Sequence, residues 1–116
     1  MENEKVYQMP FAQVYTLLCN KATRKGRTQD EVDTVICWLT GYGRADLQHA
    51  AEQGVTYGDF FRHAPQPNEK RSLIRGKVGG VRVEDVQEPL MREIRLLDKL
   101  IDELAKGKPL EKVLRD

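Results

Sequence analysis

The segment at residues 69–82 holds the side chains best suited to bind an anion. It reads EKRSLIRGKVGGVR and sets five basic residues against one acidic residue, Glu69. The guanidinium group of arginine binds phosphate or carboxylate through two parallel N–H groups. Glycines let backbone amides approach an anion closely. The segment therefore predicts an anion-binding site, with four candidate residues: Arg71, Arg75, Lys77 and Arg82.

The same segment does not specify a ligand. Neither GxxxxGK[ST] nor GxGxxG occurs in it, so no particular nucleotide chemistry is indicated. It contains no aromatic residue on which a base could stack, which disfavours single-stranded nucleic acid. The alternative is a solvated hairpin surface, the more common origin of clustered charge and glycine.

Cysteine and histidine do not predict a metal site. Cys19, Cys37, His49 and His63 are the only residues of these types, and 12 to 18 positions separate successive members. Structural zinc sites draw their ligands in close pairs. We therefore expect no metal and no cofactor, and we expect each of the four to fill a structural role.

No catalytic set stands out, so we expect that the chain is not an enzyme. The alternative is an enzyme whose pocket is formed by residues that are distant in sequence. Acid–base catalysis could be suggested by the carboxylates of Glu84, Asp85 and Glu88. However, they precede a predicted helix, and the positive end of a helix dipole attracts carboxylates. Most aromatic residues lie at core positions. Tyr42, between two glycines, is the aromatic expected to be exposed.

Composition indicates one soluble domain over residues 1–116, with residues 1–9 as a candidate flexible N-terminus. Nineteen basic residues balance 18 acidic ones, so no overall field favours nucleic acid or membrane. We find neither an apolar run of membrane-spanning length nor a secretion signal. Two cysteines without a CxxC pair fit a reducing compartment. We expect a cytoplasmic protein with no membrane association.

Apolar spacing predicts a mainly α fold, a compact bundle of five or six helices. A first helix begins after Pro10, a capping box of Thr28 with Glu31 begins the second, and glycines at 41–43 end it. A third helix is predicted at about 44–53, and a short fourth follows Thr56. Pro109 is expected to begin a final turn.

Two further elements complete the predicted fold. A small β-hairpin or extended segment is expected around residues 73–83, turning at Gly79–Gly80. From Pro89 to Gly107 the chain predicts a long helix with one apolar stripe, formed by Leu90, Ile94, Leu97, Leu100, Ile101 and Leu104. This stripe is interpreted as core, with a dimer interface as the alternative. Lys99 and Glu103, four residues apart, are expected to pair on the exposed side.

Long sequence blocks resemble a known family. "VYQMPFAQVY", "KGRTQDEVDTVICWLTGY", "FFRHAP" and the stretch from "RSLIRGKVGG" to "KPLEKVLRD" look like the small bacterial family called domain of unknown function 2200. The resemblance implies no activity, substrate or cofactor. Thr16 stands where the family often has proline and Gly79 where it often has cysteine, which disfavours thiol chemistry at the hairpin.

These observations favour a non-enzymatic binding or protein-interaction module. Homo-oligomerisation through the C-terminal helix is one expected mode of interaction. The alternative function is binding of an anion, phosphate or nucleic acid through residues 69–82. The two differ in salt response, because displacing counterions from phosphates makes affinity fall as salt rises.

Overall fold

The computed structural model describes residues 2–115 and confirms a mainly helical fold with a small antiparallel sheet. The described residues form seven helices: α1 (Glu2–Gln8), α2 (Phe11–Thr23), α3 (Gln29–Thr40), α4 (Arg44–Glu52), α5 (Tyr57–Arg62), α6 (Pro89–Ala105) and α7 (Leu110–Val113). Between α5 and α6 lie two strands and two short 3₁₀ helices: Glu69–Leu73, β1 (Lys77–Val78), β2 (Val81–Arg82) and Val83–Asp85.

Helix α6 is the centre of the fold. It packs against α2, α3 and α5, and the stripe residues Leu97, Leu100, Ile101 and Leu104 have no exposed surface. Burying a side chain of this size contributes roughly 1.5–3 kcal/mol. The predicted apolar stripe is therefore the core of the protein, and Pro89 stands at the first turn, as expected.

Arg27 joins the start of α3 to the end of α6. The predicted capping box is present, because the Thr28 hydroxyl accepts from the backbone N–H of Glu31 and the Glu31 carboxylate accepts from that of Thr28. The Arg27 guanidinium binds the same carboxylate through Nε (3.2 Å) and Nη2 (2.6 Å). Its Nη1 donates to the backbone oxygens of Leu104 (3.3 Å) and Lys108 (2.8 Å). One side chain thus serves two helix ends.

The N-terminal segment is helical, although no helix before Phe11 is predicted from the sequence. Helix α1 packs against α5, and Tyr7 is buried there, with its hydroxyl donating to the Glu88 carboxylate. A Cβ on Gly58 would lie 2.9 Å from the Cβ of Tyr7, so the close approach needs glycine. Seven residues are too few for a helical period to stand out in sequence.

The predicted hairpin is present. Strands β1 and β2 are antiparallel, with Lys77 opposite Arg82 and Val78 opposite Val81. The turn residues Gly79 and Gly80 have φ of 58° and 80°, the left-handed pair that a two-residue hairpin turn favours. Val78 is buried, and β1 packs against α6. The 3₁₀ helices on either side are not predicted from the sequence.

Glu103 on α6 is buried, contrary to the exposed position expected for its pair with Lys99. Arg115 binds both of its carboxylate oxygens, at 2.5 and 2.8 Å, and Lys108 and Lys99 lie at 3.3 and 3.7 Å. Burial raises the pKa of Glu103, but the hydrogen bonds and charges of Arg115 and Lys108 outweigh it, so the net pKa is lowered. Three cations thus stabilise one buried carboxylate.

Candidate functional site

A charged groove lies between the 3₁₀ helix Glu69–Leu73 and the first half of α6. Its volume is about 550 Å³. The residues that line it define the charged groove: Glu69, Arg71, Ser72, Ile74, Arg75, Val83, Glu84, Arg92, Glu93 and Leu96. The groove has the size of an ordinary ligand site, roughly 300–1,000 Å³.

The floor of the charged groove is apolar. Ile74, Val83 and Leu96 are buried, at 3 %, 0 % and 5 % exposure. Val83 comes from the second 3₁₀ helix and Leu96 from α6, which pack against each other, and Ile74 directly follows the first 3₁₀ helix. Leu73, next to Ile74 in the chain, is 55 % exposed. The three floor side chains expose little surface, so the apolar contact that the groove itself offers a ligand is limited, and Leu73 adds exposed apolar surface beside it.

Arg71 is held in place by an ion pair. Its Nε donates to the Glu93 carboxylate at 3.1 Å, and its Nη1 donates to the backbone oxygen of Asn68 at 2.7 Å. Both charged side chains are partly exposed, at 33 % and 23 %. Arg71 therefore enters the groove with its charge already balanced by Glu93.

Arg75 and Arg92 are the groove arginines without a carboxylate partner among residues 2–115. Arg75 is exposed, and Arg92 donates from Nε to the backbone oxygen of Val86 at 2.9 Å, which fixes the direction of its guanidinium. Glu84 accepts from the backbone N–H of Gly76 at 3.0 Å. Hydrogen bonds from the backbone of Glu84 itself and of Gly76 lower the pKa of the Glu84 carboxyl, which stays ionised at neutral pH.

The other two candidate anion-binding residues lie on the hairpin and do not line the groove. Lys77 and Arg82 face each other across the two strands, and Arg82 pairs with Asp85 at 3.4 Å. Of the four residues predicted from the sequence, the structure brings Arg71 and Arg75 into the charged groove and leaves Lys77 and Arg82 outside it.

Tyr42 is half-buried, which corrects the expectation of an exposed aromatic. Its ring stacks on Phe60, with centroids 4.5 Å apart, and its hydroxyl donates to the backbone oxygen of Phe60 at 2.7 Å. Gly41 precedes it with φ of 84° and passes so close to Gln66 that a Cβ would lie 2.6 Å from the Gln66 oxygen. The left-handed turn at Gly41 thus places the next side chain against the core.

Sequence reasoning missed the contribution of α6 to the groove. Arg92, Glu93 and Leu96 recur at three- and four-residue spacing and so share one helical face, beside the buried stripe. This spacing was the available signal, but charged residues on a helix usually indicate plain solvent exposure. Only the position of the 3₁₀ helices across from that face makes it one wall of a groove.

The cysteines and histidines lie apart from the charged groove. Cys19 and Cys37 are free thiols, partly buried, and desolvation raises the pKa of both. His49 and His63 are exposed. Within residues 2–115, no group of three or more cysteine, histidine or acidic side chains is arranged to hold a metal ion. Nor does any helix there combine the length and apolar character that crossing a bilayer requires.

The fold and the groove define a small, mainly helical domain with a charged surface groove. The chain belongs to the family described as "Uncharacterized protein conserved in bacteria (DUF2200)", whose model matches residues 5–115. A solved relative is titled "Crystal structure of uncharacterized protein SP1917": it is 50% identical, with a TM-score of 0.92, over 96% of this chain and 91% of that one. No curated protein matches the chain.

Proposed function

We propose that this protein is a non-enzymatic interaction module that binds a short peptide segment of a partner protein in the charged groove. The observation that carries the proposal is a rim with both signs of charge above an apolar floor. Three arginines and three glutamates surround Ile74, Val83 and Leu96. A peptide with an apolar side chain flanked by acidic and basic residues complements such a surface.

The mixed rim favours a peptide over a polyanion. The segment 69–82 has a strong basic excess in sequence, but three further carboxylates lie beside it: Glu84, Asp85 and Glu93. Two of them neutralise Arg71 and Arg82 directly. A phosphate backbone passing over the groove would meet negative as well as positive charge.

The polar groups of the groove support binding rather than catalysis. The Ser72 hydroxyl donates to the backbone oxygen of Glu69 at 3.3 Å, and Glu93 is paired with Arg71. A nucleophile needs a base within hydrogen-bond reach to be activated. Ser72 is instead turned toward the backbone, so we assign it no chemical role.

Selection of peptides from a random library tests the proposal. Twelve-residue peptides displayed on their own messenger RNA would be selected on the immobilised protein. The affinity of each selected peptide would then be measured by fluorescence anisotropy. We expect the selected peptides to contain an apolar residue between charged residues of both signs. Arg75→Glu with Arg92→Glu should weaken binding about tenfold, since 1.4 kcal/mol from two charge reversals corresponds to that factor.

The matched control reverses two charges away from the groove. Arg24 and Lys112 are exposed, on the end of α2 and on α7, so Arg24→Glu with Lys112→Glu makes the same change in net charge. This control should bind the peptides as the wild type does. Equal loss in both variants, or no loss in either, would show that the charged groove is not the peptide site.

Anion or nucleic-acid binding is the second candidate, because two of the four candidate residues, Arg75 and Lys77, have no carboxylate partner among residues 2–115. Arg75 and Lys77 are exposed and form no ion pair within residues 2–115. Two neutralised phosphates predict a log–log salt slope of about −1.8 for duplex DNA. Anisotropy of a labelled duplex measures it, and unchanged affinity after Arg75→Ala with Lys77→Ala would reject this function.

Homo-oligomerisation through α6 is the weaker form of the interaction proposal. The apolar stripe of α6 is buried within its own chain, so a dimer through that face would have to remove it from the core. Light scattering over a concentration series measures the state, and a mass that stays at about 13.3 kDa excludes a dimer. A cytoplasmic location remains part of the proposal, supported by the two free cysteines.

A further inference from the structure

A second cavity, which we call the Tyr57 cavity, lies between α1, α2, α5 and α6, away from the charged groove. Its volume is about 160 Å³. Its lining is mostly apolar, and it consists of Val6, Met9, Val14, Leu17, Tyr57, Met91, Ile94, Arg95 and Asp98. Apolar cavities of about 150 Å³ are large enough to bind benzene. A ring-sized group therefore fits the space.

The hydroxyl of Tyr57 is the unusual group in this cavity. The oxygen is buried and has no hydrogen-bond partner among residues 2–115. The ring is fixed by an edge contact with Phe61, at 5.1 Å between centroids. A buried hydroxyl without a partner costs about 1–3 kcal/mol, so native proteins seldom leave one unpaired without a reason.

Two charged groups lie near this hydroxyl at the polar end of the cavity. Asp98 and Arg95 both line it, and both act electrostatically on Tyr57. They are only loosely paired, at 3.6 Å, and the Asp98 side chain is 30 % exposed. The polar end thus offers a phenol donor and a carboxylate acceptor beside an apolar chamber.

The walls of the cavity can adjust to a guest. Met9 and Met91 line it, and unbranched thioether side chains change shape at little cost. Leu17 on the same lining is 55 % exposed, so one side of the chamber lies at the protein surface. Because the hydroxyl oxygen itself is buried, a small molecule that enters there reaches it only after side chains of the wall move.

We propose that the Tyr57 cavity binds a small uncharged alcohol whose apolar body is about the size of one ring. An alcohol is both acceptor and donor: its oxygen accepts from the Tyr57 hydroxyl and its own O–H donates to the Asp98 carboxylate. The apolar body fills the space between the methionines. This site is independent of the charged groove and of the function proposed for it.

Benzyl alcohol and toluene are the probes, because they share a ring and differ by one hydroxyl. Each would be titrated into protein labelled at the methionine methyls, with the Met9 and Met91 signals followed by NMR. We expect saturable shifts at millimolar concentration with both probes. In Tyr57→Phe, which keeps the ring, the affinity ratio of benzyl alcohol to toluene should fall about three- to tenfold, the factor for one neutral hydrogen bond.

Leu17→Ala provides the matched control. Leu17 is largely exposed, so the variant keeps the core and removes only part of the cavity wall. Both probes should bind about two- to threefold more weakly, with their ratio unchanged, because the loss is apolar contact alone. No saturable shift with benzyl alcohol in the wild-type protein, or a ratio that Tyr57→Phe leaves unchanged, would overturn the proposal.

Discussion

Replacing Arg27 by alanine should be among the most damaging changes possible at a charged residue of this protein. The Arg27 side chain is only 15 % exposed and binds the Glu31 carboxylate and the backbone oxygens of Leu104 and Lys108. The variant leaves all three acceptors without this donor. It also removes the link between the start of α3 and the end of α6.

The expected loss is about 3 kcal/mol of unfolding free energy. A hydrogen bond from a charged group contributes about 1.5–3 kcal/mol, and the short bond to Lys108 contributes most. The pair with Glu31, whose side chain is 25 % exposed, adds about 1 kcal/mol after screening by solvent. For a domain of this length the unfolding entropy is about 0.24 kcal/mol per degree, so the melting temperature should fall by about 12 °C.

The pH dependence of this loss has a definite sign. The hydrogen bond from Arg27 is the largest cause that lowers the pKa of Glu31, to about 2, although desolvation opposes it. A carboxyl with a lowered folded pKa stabilises the fold above its unfolded pKa, about 4.3, and that contribution disappears as pH falls toward 2. The gap between wild type and Arg27→Ala should therefore narrow as pH falls from 5 toward 2.

Urea unfolding gives the free energy and thermal melting gives the melting temperature, both followed by circular dichroism at several pH values. Arg27→Lys retains the positive charge but not the planar guanidinium, and it should lose about half as much unfolding free energy as Arg27→Ala. Arg24→Ala, at the exposed end of α2, should change stability by less than about 0.5 kcal/mol. A melting temperature for Arg27→Ala within 2 °C of wild type, or a gap that is constant from pH 6 to 2.5, would refute the reasoning about this side chain.

Three other changes have definite outcomes. Leu97→Ala should cost about 2–5 kcal/mol in urea unfolding because the side chain is fully buried, whereas Leu17→Ala, at 55 % exposure, should cost under about 1 kcal/mol; similar costs would contradict the core assignment. Gly41→Ala should largely prevent folding, because its Cβ would lie 2.6 Å from the Gln66 oxygen. Gly54→Ala, also left-handed but with open space, should cost about 1 kcal/mol, as thermal melts would report. All four tyrosines have raised pKa values, through desolvation first in each case, so their neutral forms favour the folded state and that stability is lost as pH rises past about 10. Ultraviolet difference spectra should show phenolate only with unfolding, and a phenol that titrates near pH 10 in the folded protein would contradict this.

The sequence predicts the long elements of this fold because their signals are local. The stripe of α6 and the capping box of Thr28 with Glu31 each lie within a few turns of chain, and both are present. Glycines at 41 and 79–80 end or turn the chain as expected. Where the residues that determine an element lie within that element, composition and spacing are sufficient to predict it.

Long-range partners could not be predicted in the same way. Glu103 sits four residues from Lys99, which indicates an exposed helix pair, but Arg115 returns from the end of the chain and covers it. Likewise Tyr42 lies between glycines, yet the turn directs it onto Phe60. In both cases the decisive neighbour is distant in sequence, and no local pattern contains it.

The sequence singles out residues on only one wall of the charged groove, for the same reason. The local charge of residues 69–82 singles out Arg71 and Arg75, and both line the groove. The opposing wall, with Arg92 and Glu93, belongs to α6 and follows only from tertiary packing. That wall supplies the carboxylate that neutralises Arg71.

The central position of α6 has a consequence for how the protein is made. A ribosome synthesises the chain from its N-terminus at about 5–20 residues per second, so the stretch from the end of α5 at Arg62 to Pro89 takes roughly 1–5 s to add. During that interval the apolar faces of α2, α3 and α5 lack the helix against which they pack. The nascent chain therefore exposes these apolar faces to chaperones until α6 leaves the exit tunnel, and a translational pause before Pro89 would lengthen that exposure.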